Sequence, residues 1–460
     1  MHRPKMISTS IFMTTELPAQ LPSTATLLES PPAAPDATDS LTPRLPPGLR
    51  APVKLLHDSA GIDTVSATVA TACLLTAWAG DNLHVRGAGL SLRVAGSLLM
   101  GLPPTVEPAR VDQILFDGLP ARDQQVQAVL RERARGSAPF GIKAETQKCY
   151  SLLRDPSIGA LQLAESFNGY NQLLVTLSGA EWYHKATINN FFDGQSLQTM
   201  LCMAWSRRSR MVRPRYSRSQ HLTPGEIMVC FIAIAPAHLV RGSAVATRER
   251  DLLRRSLLRQ APRFCAFPRP ADAALLGVTS EDTRAWEDTL DRVTRQRLAG
   301  TAELVPDEKS KAAFTAWETR ITGELSALKD TDACELGVMR SLPYRLYAGL
   351  QLARTRSSDD TRESADLALE LAATIWQRTT TMFAAAAKDN DEAWLDAHAE
   401  RLLGKLMDFG PMTPRELMRR ESVQRFDYHE PALRMLCDSH RIAINQGRYA
   451  AITPASVDLN

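Results

Sequence analysis

The run Ile227-Met-Val-Cys-Phe-Ile-Ala-Ile234 places eight apolar residues side by side without a charge. A half-exposed strand would alternate; an unbroken run of this length reads as a strand covered on both faces. Such a strand needs helices above and below it, and the neighbouring sequence supplies them. Leu173-Leu-Val-Thr-Leu177 is a second strand candidate, and Gly89-Leu-Ser-Leu-Arg-Val-Ala-Gly96 alternates and then stops on glycine, as a strand entering a tight turn does. One helical pattern is expected from Ala51 to Trp78 and another, amphipathic through Val111, Ile114, Leu115, Val126, Val129 and Leu130, from Pro108 to Arg135. Strands spaced among helices predict an α/β core over residues 49–278 in a chain that is helix-rich overall.

The flanks differ in kind. Residues 1–48 carry repeated prolines, which remove amide donors and fix φ, so a disordered tail is expected there. Residues 279–396 read as all-α, in pieces Trp286–Leu298, Ala312–Leu328, Cys334–Leu352 and Ser364–Ala387, with a turn at Asp389-Asn-Asp-Glu. Residues 397–460 carry the clearest local plan. A helix closes at Gly410-Pro; Thr413-Pro-Arg-Glu416 has an N-cap, a proline at the first helical position and a capping-box glutamate. A third helix and a hairpin turning on Gly447 follow. Helix, helix, helix, hairpin predicts a winged helix-turn-helix, a module able to lay one helix in the major groove. Arg415, Arg419, Arg420, Arg434, Arg441 and Arg448 are its cations; the alternative is a winged helix used for protein contact.

Composition narrows the partners. Apolar residues at 44% and charged residues at 23% allow a large core, which excludes a chain disordered throughout. Net charge is only +3, yet arginine greatly outnumbers lysine, a bias that suits phosphate contact and also follows from codon usage. The seven cysteines are scattered, with no C-x-x-C pair and no neighbouring His at zinc spacing, so buried thiols in a reducing compartment are expected, with neither metal nor cofactor. The N-terminus lacks an apolar signal region, and Val65–Ala79 is too short for a membrane span; a cytoplasmic protein with no membrane partner follows.

Several short segments together resemble the YfjI-like family of primase–helicase-like proteins of phages and plasmids. They are Leu45-Pro-Pro-Gly-Leu-Arg, Leu90-Ser-Leu-Arg-Val-Ala-Gly, Val111-Asp112-Gln-Ile-Leu-Phe116, Phe192-Asp-Gly-Gln-Ser, Ile227–Pro236 and Leu252-Leu-Arg-Arg255-Ser-Leu-Leu, with the closing module. The resemblance implies a P-loop NTPase-like core, and with it a loop whose amides cradle phosphates, whose lysine reaches the β/γ oxygens and whose hydroxyl holds Mg²⁺. The expected place is Gly96-Ser-Leu-Leu-Met-Gly101-Leu-Pro-Pro-Thr105. Gly96 and Gly101 keep the spacing, but Leu102 stands for the lysine and Pro103 for the hydroxyl residue. The second strand ends without a carboxylate; Glu181 lies just past Gly179. A degenerate, inactive nucleotide site at Gly96, Gly101 and Thr105 is expected, with no catalytic residue. The alternative is an active ATPase or helicase using Glu181 and Thr105.

Arg207, Arg208, Arg210, Arg213, Arg215 and Arg218, with Tyr216 among them, form the densest candidate nucleic-acid segment. The resemblance gives Arg255 a nucleotide-facing role that a dead site leaves vacant. His184 and His238 lack a nucleophile or metal partner at useful spacing. The leading expectation is a non-catalytic DNA-binding accessory protein of a mobile genetic element, contacting DNA through Arg207–Arg218 and through Arg415, Arg419, Arg420, Arg441 and Arg448. Homo-oligomers or replication proteins are further expected partners. An adaptor whose winged helix binds a partner protein is the remaining alternative.

Overall fold

The computed structural model describes residues 41–137 (apart from 88, 90, 95 and 96), 152–153, 172–178, 228–237, 240, 262–269, 276–328, 336–354, 361–420 and 429–452. Helices dominate it, joined by three sheets.

The expected first helix is two. Helix α1, Pro47–Ala60, stops at Gly61, whose φ of 71° suits a residue without a Cβ. Asp63 then caps α2, Thr64–Ala79, by accepting from the Ser66 amide at 3.1 Å. Every residue of α2 is buried. Its threonines survive there because Thr68 and Thr71 donate back to the Thr64 and Ala67 carbonyls at 2.7 and 2.8 Å. This is the longest apolar stretch of the sequence, and no described helix is long and apolar enough to cross a membrane.

The alternating segment near Leu90 does not join the central sheet. It supplies β2, Ser91–Arg93, antiparallel to β1, Leu83–Arg86, in a small sheet. The strand of the main sheet is the next one, β3, Leu98–Leu102, buried throughout. It pairs in parallel with β6, Met228–Pro236, and with β7, Arg263–Cys265. On the far side of β6 lie β5, Gln172–Ser178, and β4, Leu152–Leu153. The order β4-β5-β6-β3-β7, parallel throughout, puts the charge-free β6 between two strands, as its composition requires.

The expected helix from Pro108 to Arg135 is also divided, into α3, Pro108–Phe116, and α4, Leu119–Ser137. Pro120, the second residue of α4, has no amide hydrogen to bond back to the end of α3, and at Gly118 the chain passes so close to α5, Ser280–Ala299, that a Cβ would come within 2.7 Å of Leu290 Cδ1. Helix α5 opens on a capping box between Thr279 and Asp282. Next come β8, Ala302–Leu304, parallel to β1, then α6, Glu308–Ser326, and α7, Leu342–Leu352. Helix α7 crosses α2 so closely that a Cβ on Gly349 would stand 2.4 Å from the Ala72 carbonyl oxygen. The helices beyond residue 279 therefore form no layer of their own: one hydrophobic core runs from Leu41 to Phe383 and includes both sheet and helices.

Helix α8, Thr361–Phe409, runs unbroken through Asp389-Asn-Asp-Glu, where a turn is expected from sequence. Its 49 residues span about 73 Å. Short polar residues cost a helix only about half a kcal/mol each, so turn composition alone does not end one already propagated. The first core ends on this helix at Phe383, and a second, smaller core begins on it around Ala399. That second core is completed by α9, Pro414–Arg420, α10, His429–Asp438, and the hairpin β9, Ile442–Asn445, with β10, Arg448–Ala451.

Candidate functional sites: the carboxyl edge of the sheet and the C-terminal module

In an open parallel sheet, ligands bind outside the carboxyl ends of the strands, where loops and helix N-termini converge. Here β3 delivers the chain to Pro103-Pro-Thr-Val-Glu107 and then to α3. This loop is short and poor in donors. Neither proline carries an amide hydrogen, Pro108 opens α3 without one, and the Val106 amide already donates to the Pro103 carbonyl at 3.0 Å. The Arg110 amide donates to the Glu107 carbonyl at 3.1 Å. Glu107 occupies the N-cap position of α3, so the mouth of the helix carries a carboxylate where an anion would need positive potential.

Gly101 does not flank this loop, as the sequence spacing suggests, but lies inside β3. A Cβ there would meet Ala237 Cα at 3.0 Å, Cys265 Sγ at 3.0 Å and Val240 Cβ at 3.2 Å. The glycine permits close packing between strand and neighbouring chain; it does not open backbone toward a ligand. Gly96 and Glu181 lie outside the described residues. Thr105 is exposed on the loop. Strand β5 ends in Ser178, β6 in Pro236 and β7 in Cys265, so none of these described termini offers a carboxylate for a metal. Among the described residues no group of three or more His, Cys, Asp or Glu is arranged to hold a metal ion.

An open depression of about 730 Å³ does exist, against the small sheet. Arg86, Ser91, Glu303, Glu308, Lys311 and Thr315 line it. Its charges cancel in place: Arg86 bonds Glu303, and Lys311 bonds Glu308 at 2.6 Å. Hydrogen bonds from Arg86 and Ser91 hold the Glu303 carboxyl below the usual carboxylate range. Sequence reading misses this place because β8 lies in a stretch whose pattern is helical on either side.

The C-terminal module is built as its sequence plan suggests in order, with one addition. Thr413 and Glu416 complete the expected capping box, the Thr413 amide donating to Glu416 Oε2 at 2.8 Å and the Glu416 amide to Thr413 Oγ1 at 3.3 Å. The hairpin turns on Gln446 and Gly447, at φ 50° and 76°, the two positive values that a tight two-residue turn needs. The addition is Met412, between α8 and α9: it exchanges both backbone bonds with Tyr449 at 3.0 and 2.8 Å and becomes a third strand position beside β10. Leu402, Leu406, Leu417, Leu433, Leu436 and Ile442 fill the space between. His398 and His429 meet inside it, Nε2 to Nδ1 at 3.4 Å.

The arginines of this module fall into two groups. Arg441 is bound by Glu400 on α8, which lowers the Glu400 pKa and raises that of Arg441. Arg448 donates to the Pro411 carbonyl at 3.3 Å and stands 3.9 Å from Glu416, and Arg434 bonds Glu430 at 3.2 Å. Arg415 and Arg419 sit one turn apart on the exposed side of α9. The Arg420 side chain and the whole of Arg207–Arg218, with Arg255 and His184, lie outside the described residues. On α10 the outward residues include Glu430, Arg434 and Asp438, one cation against two carboxylates.

No family model matches this chain, and no curated protein matches it.

Proposed function

We propose that this chain is a non-catalytic accessory protein: a P-loop-type α/β body without nucleotide chemistry, carrying a winged-helix docking module on a long helix. The strand order supports the first half. With β3 as the first strand, β4-β5-β6-β3-β7 is the order 2-3-4-1-5 of many P-loop ATPases, and the loop after that first strand is where phosphate would sit. The observation that carries the reading is the loop itself. Three of its six residues from Pro103 to Pro108 are prolines, Glu107 stands at the helix mouth, and Ala237 and Val240 close over Gly101. The resemblance to the YfjI-like family supplies the same expectation from a different direction. A phosphate-release assay with Mg–ATP, alone and with single- or double-stranded DNA, tests it: release above the buffer rate ends the non-catalytic assignment.

For the module we favour protein docking. Helix, strand position, helix, helix and hairpin follow the winged-helix order, but α10 presents more negative than positive charge outward, which opposes entry into a groove lined by phosphates. A second reading, DNA contact within a mobile element, is favoured by the exposed Arg415 and Arg419. Duplex anisotropy across a salt series separates the two. Phosphate contact predicts a steep log–log loss of affinity as salt rises.

A further inference from the structure

Helix α7 carries an arginine into the body without an acid to meet it. Arg345 stands one turn before Gly349, the residue at which α7 touches the Ala72 carbonyl, so it leaves the helix on the side that faces α2. Its Nε and Nη1 atoms are buried, and among the described residues neither has a hydrogen-bond partner. The residue as a whole is only partly covered, so some of the side chain still meets open space. Elsewhere in the body the enclosed arginines are answered: Arg122 bonds Glu287 and Asp291, and Arg378 bonds Asp63.

The titratable groups that reach Arg345 are two thiols, Cys73 on α2 and Cys230 on β6. Burial pushes the Cys73 thiol up to about 12, so it stays protonated and supplies no counter-charge. A guanidinium cannot shed its proton at ordinary pH, as a buried lysine can. An enclosed cation without an anion is strongly destabilising, and burial accordingly draws the Arg345 pKa below its ordinary value.

We propose that Arg345 is the receiving group for a small monocarboxylate with an apolar body, seated where α7 meets α2 and β6. One planar fork matches one carboxylate; a phosphate dianion would leave a second charge enclosed and unpaired. The surroundings suit an alkyl chain, since every residue of α2 is buried and β6 carries no charge. Cys230 is the third residue of β6, toward its amino end, so this place is separate from the loop after β3 and stands or falls independently of the non-catalytic reading.

The test uses the full chain, calorimetry of the body's transition and four probes at matched ionic strength: sodium hexanoate, sodium acetate, hexan-1-ol and inorganic phosphate. Hexanoate is expected to raise the transition saturably and acetate less, because binding to the folded state alone adds apparent stability. Arg345→Met should abolish the response. Arg345→Lys keeps the charge but loses the fork, and should weaken apparent affinity about tenfold, the worth of one charge-assisted hydrogen bond. Carbon-13 spectra of carboxyl-labelled hexanoate with the unaltered chain read binding without any variant, and should show a saturable shift. No saturable response in either measurement overturns the proposal. So does a response that survives in Arg345→Met, or hexan-1-ol or phosphate matching hexanoate. An Arg345→Met chain that melts far lower, beside an unaltered chain indifferent to all four probes, makes a carboxylate of the chain itself the partner and also ends the proposal.

Discussion

The body and the C-terminal module use similar parts and treat polarity in opposite ways. In the body, even polar residues are hidden: Thr64, Ser66, Thr68, Thr71 and Thr76 are all buried along α2, and the Lys54–Asp282 pair lies between α1 and α5 at 2.8 Å. In the module, apolar residues such as Met407 and Ile444 face solvent at 64% and 58% exposure. A region that closes over its polar groups has interior to maintain; a region that leaves methionine and isoleucine facing solvent is finished differently. At the carboxyl end of β3 the described residues are of the first kind, with Ala237, Val240 and Cys265 packed against Gly101.

The sharpest way to break this division is to unfold one part and watch the other. Trp78 is fully buried, donates to Thr294 Oγ1 at 2.9 Å and stacks under Arg297 at 4.4 Å. Trp78→Ala is expected to cost the body about 3–5 kcal/mol. Calorimetry should show the body's transition fall while the module's stays in place. Leu436→Ala, at the centre of the smaller core, is expected to cost about 2–5 kcal/mol and to lower the module's transition alone. A single merged transition that moves as one in both variants would contradict two separate cores.

Smaller effects sharpen the contrast. Burial pushes the Asp282 carboxyl up, but hydrogen bonds from Lys54 and Thr279 outweigh it and leave the pKa below its ordinary value. The stability this group contributes is thus complete above the unfolded carboxylate range and is lost as pH falls through the folded value. Lys54→Met should remove part of that acid-side loss from the body, at a cost of about 1–3 kcal/mol near neutrality, with the module's pH profile unaltered. Acid titration of the two transitions checks it. In the module, Thr413→Ala removes the N-cap of α9 and should cost about 1 kcal/mol. The smallest effect is expected from Asn390→Pro, in the stretch of α8 between the two cores. Proline breaks a helix interior, yet neither transition should move if that stretch only connects them.

Much of this division was readable in the residues. Strands β5 and β6 announce themselves by apolar runs, and the capping box of α9 by Thr413 and Glu416. What escaped reading depends on contacts between distant segments. Whether Leu90–Val94 or Leu98–Leu102 enters the main sheet is decided by β6 and β7, which lie far along the chain. The short β8 acquires strand geometry only by pairing with β1. The breaks at Gly61 and before Pro120 had local signals in a glycine and a proline, whereas Asp389-Asn-Asp-Glu, a turn by composition, stays helical. At the carboxyl edge of the sheet, the prolines after β3 were legible as a loss of donors. The filling of the space by Ala237 and Val240 was not.

The central claim is that the sheet's carboxyl edge holds no triphosphate, and ligand-dependent melting of the full chain tests it most directly. Because a ligand that binds only the folded state must raise apparent stability, the body's transition should stay fixed as Mg–ATP is raised through the millimolar range. A transition that climbs with nucleotide and falls back when Mg²⁺ is chelated would contradict the account.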